Sequence, residues 1–150
     1  EALEVQMCNV MAPFILVQQL KRLFERSPHT ERFIVNVSSV EGLFSKNYKQ
    51  KYGHHPHTNM SKSSLNMLTM TTAPKYAMES QIYMTCVDPG WVSQLCPYPQ
   101  ANHNKVSHNF EPPLDEEDGA SRITHPIFES VKHKQHLFGV FLKDYETSDW

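Results

Sequence analysis

No stretch of this 150-residue chain is apolar over the roughly 18 positions that a membrane-crossing helix needs, so a membrane protein is not expected. Positive charge is not in excess: 14 Lys and Arg stand against 16 Asp and Glu, for a formal net charge of -2. That balance lacks the basic footprint of a nucleic-acid binder. Cysteine is sparse and odd in number. Cys8, Cys86 and Cys96 include no C-x-x-C pair, which argues against a disulfide framework and a zinc site. They read as buried or half-buried free thiols in a reducing, cytoplasmic compartment. The amino terminus is not expected to be a signal peptide: Glu1-Ala2-Leu3-Glu4 has no positive region and no initiator Met, and reads as the middle of a helix. The expectation is therefore a piece of a longer protein. A hydrophobic fraction of 39% is a little low, yet with near-neutral charge it does not suggest disorder.

What is present is an alternation of elements. Leu3, Met7, Val10, Met11, Phe14, Val17, Leu20 and Phe24 recur at helical spacing from about residue 2 to 25. The stripe is wide enough to predict burial of two faces. Residues 32–39 form a short β-branched run expected to be a buried strand. The polar stretch 41–57 reads as a long loop, and helical character resumes over about 59–77, with Pro74 expected to kink or shorten the last turns. A second strand is expected over 81–87, stopped by Asp88-Pro89-Gly90. Irregular sequence follows from Ser93 to Pro113. Four acids at 115–118 then open a third helix, expected to end near Pro126 or shortly after. Residues 137–142 predict a third strand. Three strands joined by helical crossovers predict an α/β parallel sheet with helices on its faces, with ligands beyond the carboxyl ends of the strands.

Four local patterns occur in one order. They are Asn9-Val10-Met11-Ala12-Pro13-Phe14, Ile34-Val35-Asn36-Val37-Ser38-Ser39-Val40-Glu41-Gly42, Ser61-Lys62-Ser63-Ser64-Leu65-Asn66-Met67-Leu68-Thr69, and Val87-Asp88-Pro89-Gly90-Trp91-Val92. Together they resemble the short-chain dehydrogenase/reductase family over roughly residues 5 to 142. The resemblance implies the carboxy-terminal part of a Rossmann-type, doubly wound dinucleotide domain that uses NAD or NADP. It implies that Asn9 holds a water in a proton relay, that Ser39 hydrogen-bonds the substrate carbonyl, and that Lys62 binds the nicotinamide ribose and lowers the pKa of a neighbouring tyrosine. Pro89 and Gly90, with Trp91 and Val92 after them, correspond to the segment against the nicotinamide. The glycine-rich phosphate loop and the ribose selector belong to the amino-terminal half, and neither is present in these 150 residues.

The family's tyrosine lies four residues before the lysine, and that position holds Thr58. A phenol can exchange protons near neutral pH when an ammonium adjoins it; an aliphatic hydroxyl is far weaker as an acid and shorter in reach. Gln94 stands where a threonine is usual after the Pro-Gly turn, with Ser93 one place earlier. Each site residue has a plainer alternative. Ser39 could cap the next turn, Lys62 could be a solvated helix lysine, and Asn9 could satisfy backbone groups. Thr58 could cap the N–H of Met60 or Ser61. His55, His57, Tyr48 or Tyr52 could replace the missing phenol. His54-His55-Pro56-His57 reads as a surface loop, not a metal site.

The resulting expectation is an NAD(P)-dependent oxidoreductase acting on a small carbonyl or alcohol substrate, atypical at residue 58, with no nucleic-acid or membrane partner. Family members usually pair through the two helices represented by 2–25 and 59–77, so a homo-oligomer is expected of the intact protein. The alternative is a catalytically inactive nucleotide-binding or scaffold protein that retains the fold. Taken alone, the chain is expected to expose the edge of strand 32–39 and to bind no dinucleotide measurably.

Overall fold

The structure is a computed structural model, which describes residues 1–44, 55–92 and 112–150. Helix α1 (Ala2–Gln6) passes through a π-helical turn, Met7–Met11, into α2 (Ala12–Arg26). Strand β1 (Arg32–Val37) and a 3-10 turn (Val40–Gly42) lead to α3 (Pro56–Ser80) and β2 (Ile82–Asp88). Helix α4 (Glu116–His133), β3 (Phe141–Lys143) and β4 (Glu146–Ser148) complete the described order. The sheet runs β1-β2-β3-β4. β1, β2 and β3 are parallel, joined by α3 and α4 as crossovers, and β4 is antiparallel to β3. This is the expected α/β Rossmann-type arrangement, with one strand more than anticipated.

Coverage on both sides explains why β2 is buried along nearly its whole length. Ile82 and Met84 pack with Val17 of α2 and with Ala73 and Tyr76 of α3. Cys86 packs with Leu43 and Phe141, while α4 lies against β2 and β1. β1 is an edge of the sheet and is mostly half-buried. The first helix differs from expectation. α1 and the π-turn bury no residue and α2 buries only Val17, whereas Leu3, Met7, Ile15, Leu16 and Leu23 are exposed. One face meets the core, and the second apolar face is left facing outward.

Prolines account for several further differences. α3 begins at Pro56, within the stretch read as loop, because proline suits the first turn, where its missing N–H costs nothing. Neither Pro74 nor Pro126 ends its helix: α3 continues to Ser80 and α4 to His133. Each helix is held on both sides of its proline by packing, through Ala73, Tyr76 and Ala77 in α3 and through Gly119 and Ser130 in α4. α4 starts as its acids predicted. Asp115 accepts the N–H of Asp118 at 2.8 Å, and the Asp118 carboxylate accepts that of Asp115 at 3.3 Å, a reciprocal cap. The third strand is shorter than anticipated. It turns into β4 through Asp144 and Tyr145, both at positive φ, as a two-residue hairpin turn requires. Arg122 of α4 steadies that turn, with Nε 3.6 Å from the Asp144 carboxylate and the guanidinium 5.2 Å above the Tyr145 ring.

The thiols divide. Cys8 is exposed, contrary to expectation, and Cys86 is fully buried; Cys96 lies outside the described residues. Burial pushes the Cys86 thiol up to about 12, partly opposed by its 3.0 Å hydrogen bond to Thr69 Oγ1. A thiol held protonated is a poor nucleophile. Iodoacetamide at pH 8 should therefore label Cys8 in the native protein and reach Cys86 only after denaturation, as peptide mass spectrometry would check. Because the folded value is raised, the stabilisation from Cys86 is complete below its ordinary value of 9.0 and is lost as pH climbs towards 12.

Candidate functional site at the carboxyl ends of the parallel strands

The register brings the carboxyl ends of the parallel strands to one edge: Val37 is level with Val87, and Asp88 with Lys143. The Ser38 N–H donates to Val87 O at 2.8 Å, extending the ladder one residue past β1. Beyond it the chain turns sharply. Ser39 is the N-cap of the 3-10 turn, and its Oγ accepts the Glu41 N–H at 3.2 Å. The plainer role considered for Ser39, capping the next turn, is thus present, and it places the hydroxyl at the strand tip.

α3 supplies the lysine. The 40–42 turn sits hard against the helix, where a Cβ on Gly42 would lie 2.7 Å from the Lys62 carbonyl carbon. The Ser63 hydroxyl donates to Gly42 O at 2.7 Å. Only glycine allows that approach. Lys62 is not simply solvated: its Nζ donates to Val37 O at 2.7 Å, next to the turn that carries Ser39. Desolvation by burial holds its ammonium pKa below the ordinary 10.5, opposed by negative charge at Cys86 and Asp88. Cys86 stays neutral until about pH 12, so at neutral pH Asp88 is the neighbour that counts.

Thr58 is not the helix cap that its sequence position suggested. It is the third residue of α3, one turn before Lys62, and the cap position belongs to His55, which has left-handed φ. Pro56 moves the helix start forward and so removes Thr58 from that role. Thr58 is joined to the first helix through Ser61, whose Oγ donates to Thr58 O at 2.8 Å and receives the Asn9 side-chain amide at 3.4 Å. Asn9 therefore reaches across to α3 and does not satisfy the backbone of its own helix. It lies on the π-turn four residues before Pro13. Proline at that spacing cannot donate to the Asn9 carbonyl and crowds it, which favours a local widening of the helix. The pair Asn9…Pro13 carried that signal, and Ser61 was a member of the site not singled out from sequence.

At the tip of β2, Gly90 takes φ +80. Pro89, Gly90 and Val92 are half-buried, and Val92 packs over Gly119 of α4. Trp91 is 54% exposed and is therefore not a core aromatic. Of the possible replacements for the phenol, His57 points to the first helix, with Nε2 3.3 Å from the Glu1 carboxylate. Tyr48, Tyr52, His54, Ser93 and Gln94 lie outside the described residues. Among the described residues no cluster of His, Cys, Asp and Glu is arranged to hold a metal, and no helix is long and apolar enough to cross a membrane.

No family model matches the chain. An uncharacterised protein of Acanthamoeba polyphaga mimivirus is 33% identical over 108 residues, which is 67% of this chain and 22% of that protein. Among solved structures, the NADPH-bound carbonyl reductase from chicken fatty liver is 22% identical, with a TM-score of 0.66 over 99% of this chain and 57% of its own. The carbonyl reductase Sniffer of D. melanogaster is 21% identical, with a TM-score of 0.61 over 96% of this chain and 54% of its own. The NADP complex of RhlG from Pseudomonas aeruginosa is also 21% identical, with a TM-score of 0.60 over 89% and 54%. This chain spans a little over half the length of each of these structures. The described residues have the α/β fold of these structures, the Rossmann-type fold that the short-chain dehydrogenase/reductase resemblance implies.

Proposed function

We propose that the chain is the carboxy-terminal part of a cytoplasmic NAD- or NADP-dependent oxidoreductase of the short-chain dehydrogenase/reductase type, acting on a small carbonyl or alcohol substrate. The observation that carries this reading is the position of Lys62. Its amine is anchored on Val37 O at the strand tip that bears Ser39, one helical turn from Thr58. The nicotinamide cofactor would supply or accept the hydride when bound. Lys62, with an ammonium held at a half-buried site, fits the ribose hydroxyls of such a group, and the Pro89–Gly90 turn offers backbone close to a flat ring. Ser39 would orient the substrate oxygen. Asn9 and Ser61 hold the start of α3 in place. Trp91 and Val92 follow the turn on the same edge, and selection of the substrate would fall to the irregular segment after Trp91.

The outward apolar residues of α1 and α2, together with Met60, Met67 and Met78 on α3, support pairing of the intact protein through these helices. A second reading is favoured by Thr58 itself: a fold that binds the nucleotide and has lost its acid. Isothermal titration of the full-length protein with NADH and NADPH, followed by turnover on a panel of carbonyl compounds, separates the two. Binding with turnover supports the enzyme, binding without turnover supports the inactive protein, and absence of binding contradicts both. The isolated 150-residue chain should show no measurable affinity in the same titration, since the phosphate-binding loop belongs to the other half of such domains. A micromolar dissociation constant for it would contradict that division.

A further inference from the structure

Beyond its charge near Lys62, Asp88 has no part in the chemistry above, yet it is 5% exposed and its carboxylate forms no ion pair within 4.0 Å among the described residues. Burying a carboxylate without an ion-pair partner is costly unless hydrogen bonds replace water. Two do. Oδ2 accepts the Val40 N–H at 2.6 Å and Oδ1 accepts the Gly90 N–H at 2.5 Å. Val40 opens the turn capped by Ser39, and Gly90 closes the tip of β2 at φ +80. Val40 lies 48 residues before Asp88 in sequence, so one side chain joins its turn to that of Gly90. Any residue of moderate β propensity could end a strand, but two converging N–H donors call for an acceptor with two oxygens.

We infer that Asp88 is a positioning residue, whose single carboxylate holds the turn bearing Ser39 at a fixed separation from the Pro89–Gly90 turn. This rests on the functional reading above. If Ser39 orients the substrate oxygen and Gly90 faces the nicotinamide, the spacing of these two turns sets the alignment of the reacting carbon. Asparagine would offer one acceptor oxygen and one donor NH2 group, so one of the two backbone N–H groups would face a donor and lose its partner. Alanine would serve neither.

The test uses full-length wild type, Asp88→Asn and Asp88→Ala, with amide hydrogen exchange and steady-state kinetics measured on each. Exchange should rise about tenfold or more at one of Val40 and Gly90 in the asparagine variant and at both in the alanine variant, the loss expected for a charge-assisted bond. Amides at Met84 and Cys86, in the strand core, should stay protected. The kcat should fall about tenfold or more with the carbonyl KM nearly unchanged, because misalignment is felt in the transition state. Unchanged exchange at both amides overturns the inference, as does faster exchange with unaltered kcat. A wild-type protein that binds neither NADH nor NADPH instead overturns the functional reading, and the positioning role with it. Should the alanine variant fail to fold, the asparagine variant decides the matter.

Discussion

Replacing Lys62 by methionine should weaken binding of the nicotinamide cofactor to the full-length protein by roughly 10- to 100-fold, the value of a hydrogen bond to a charged group. Methionine keeps the length and apolar stem of the side chain while removing the ammonium that now rests on Val37 O. The variant should remain folded, since the neighbouring packing of Leu65, Thr69 and Ala73 does not involve the amine. The wild type should also show a pH limb. An ammonium with a depressed pKa loses its proton earlier than a free lysine, so cofactor affinity should decline on the alkaline side at pH values below 10.5. In Lys62→Met that limb should disappear. Fluorescence titration with NADPH across pH would check both effects, and an affinity indifferent to the substitution would exclude Lys62 from the binding site.

Thr58→Tyr should raise kcat for carbonyl reduction by roughly 100-fold or more, the usual contribution of a well-placed general acid. Residue 58 stands one turn before Lys62 on α3, so a side chain there shares a face with the lysine. A phenol would gain both acidity and reach. Its pKa of about 10 should be lowered further by the adjacent ammonium. Thr58→Phe provides the control, adding the ring without the hydroxyl. Equal rates for the tyrosine and phenylalanine variants would mean that residue 58 is not where the proton passes.

Much of the architecture was legible because its elements follow simple periods. Val17 and Phe24 recur on a helical stripe, and Ile82, Met84 and Cys86 alternate on one face of a strand. What misled was mostly proline. Pro74 and Pro126 argued for helix ends, but neighbours buried against the sheet hold those helices through the missing hydrogen bond. Pro56 argued for a loop and is instead the first residue of α3, which also changed the standing of Thr58. β4 was missed because its sequence is short and polar, Glu146-Thr147-Ser148, and its turn uses Asp144 and Tyr145 where glycine or asparagine would have been the signal.

In the candidate site, Ser39, Lys62 and the Pro-Gly turn could be named from local motifs. The Asp88 bridge and the Asn9–Ser61–Thr58 connection could not, because each joins side chains to partners about 50 residues away. Such contacts are fixed by the parallel register of β1 and β2 and by the seating of α3 on the 40–42 turn.

A crystal structure of the full-length protein with NADP+ bound is the most direct test. The nicotinamide ribose should lie about 3 Å from Lys62 Nζ, at hydrogen-bonding distance, with the ring against Pro89 and Gly90 and its reactive face towards Ser39 and residue 58. A dinucleotide seated at the opposite end of the strands, near Arg32 and Tyr83, would contradict that placement.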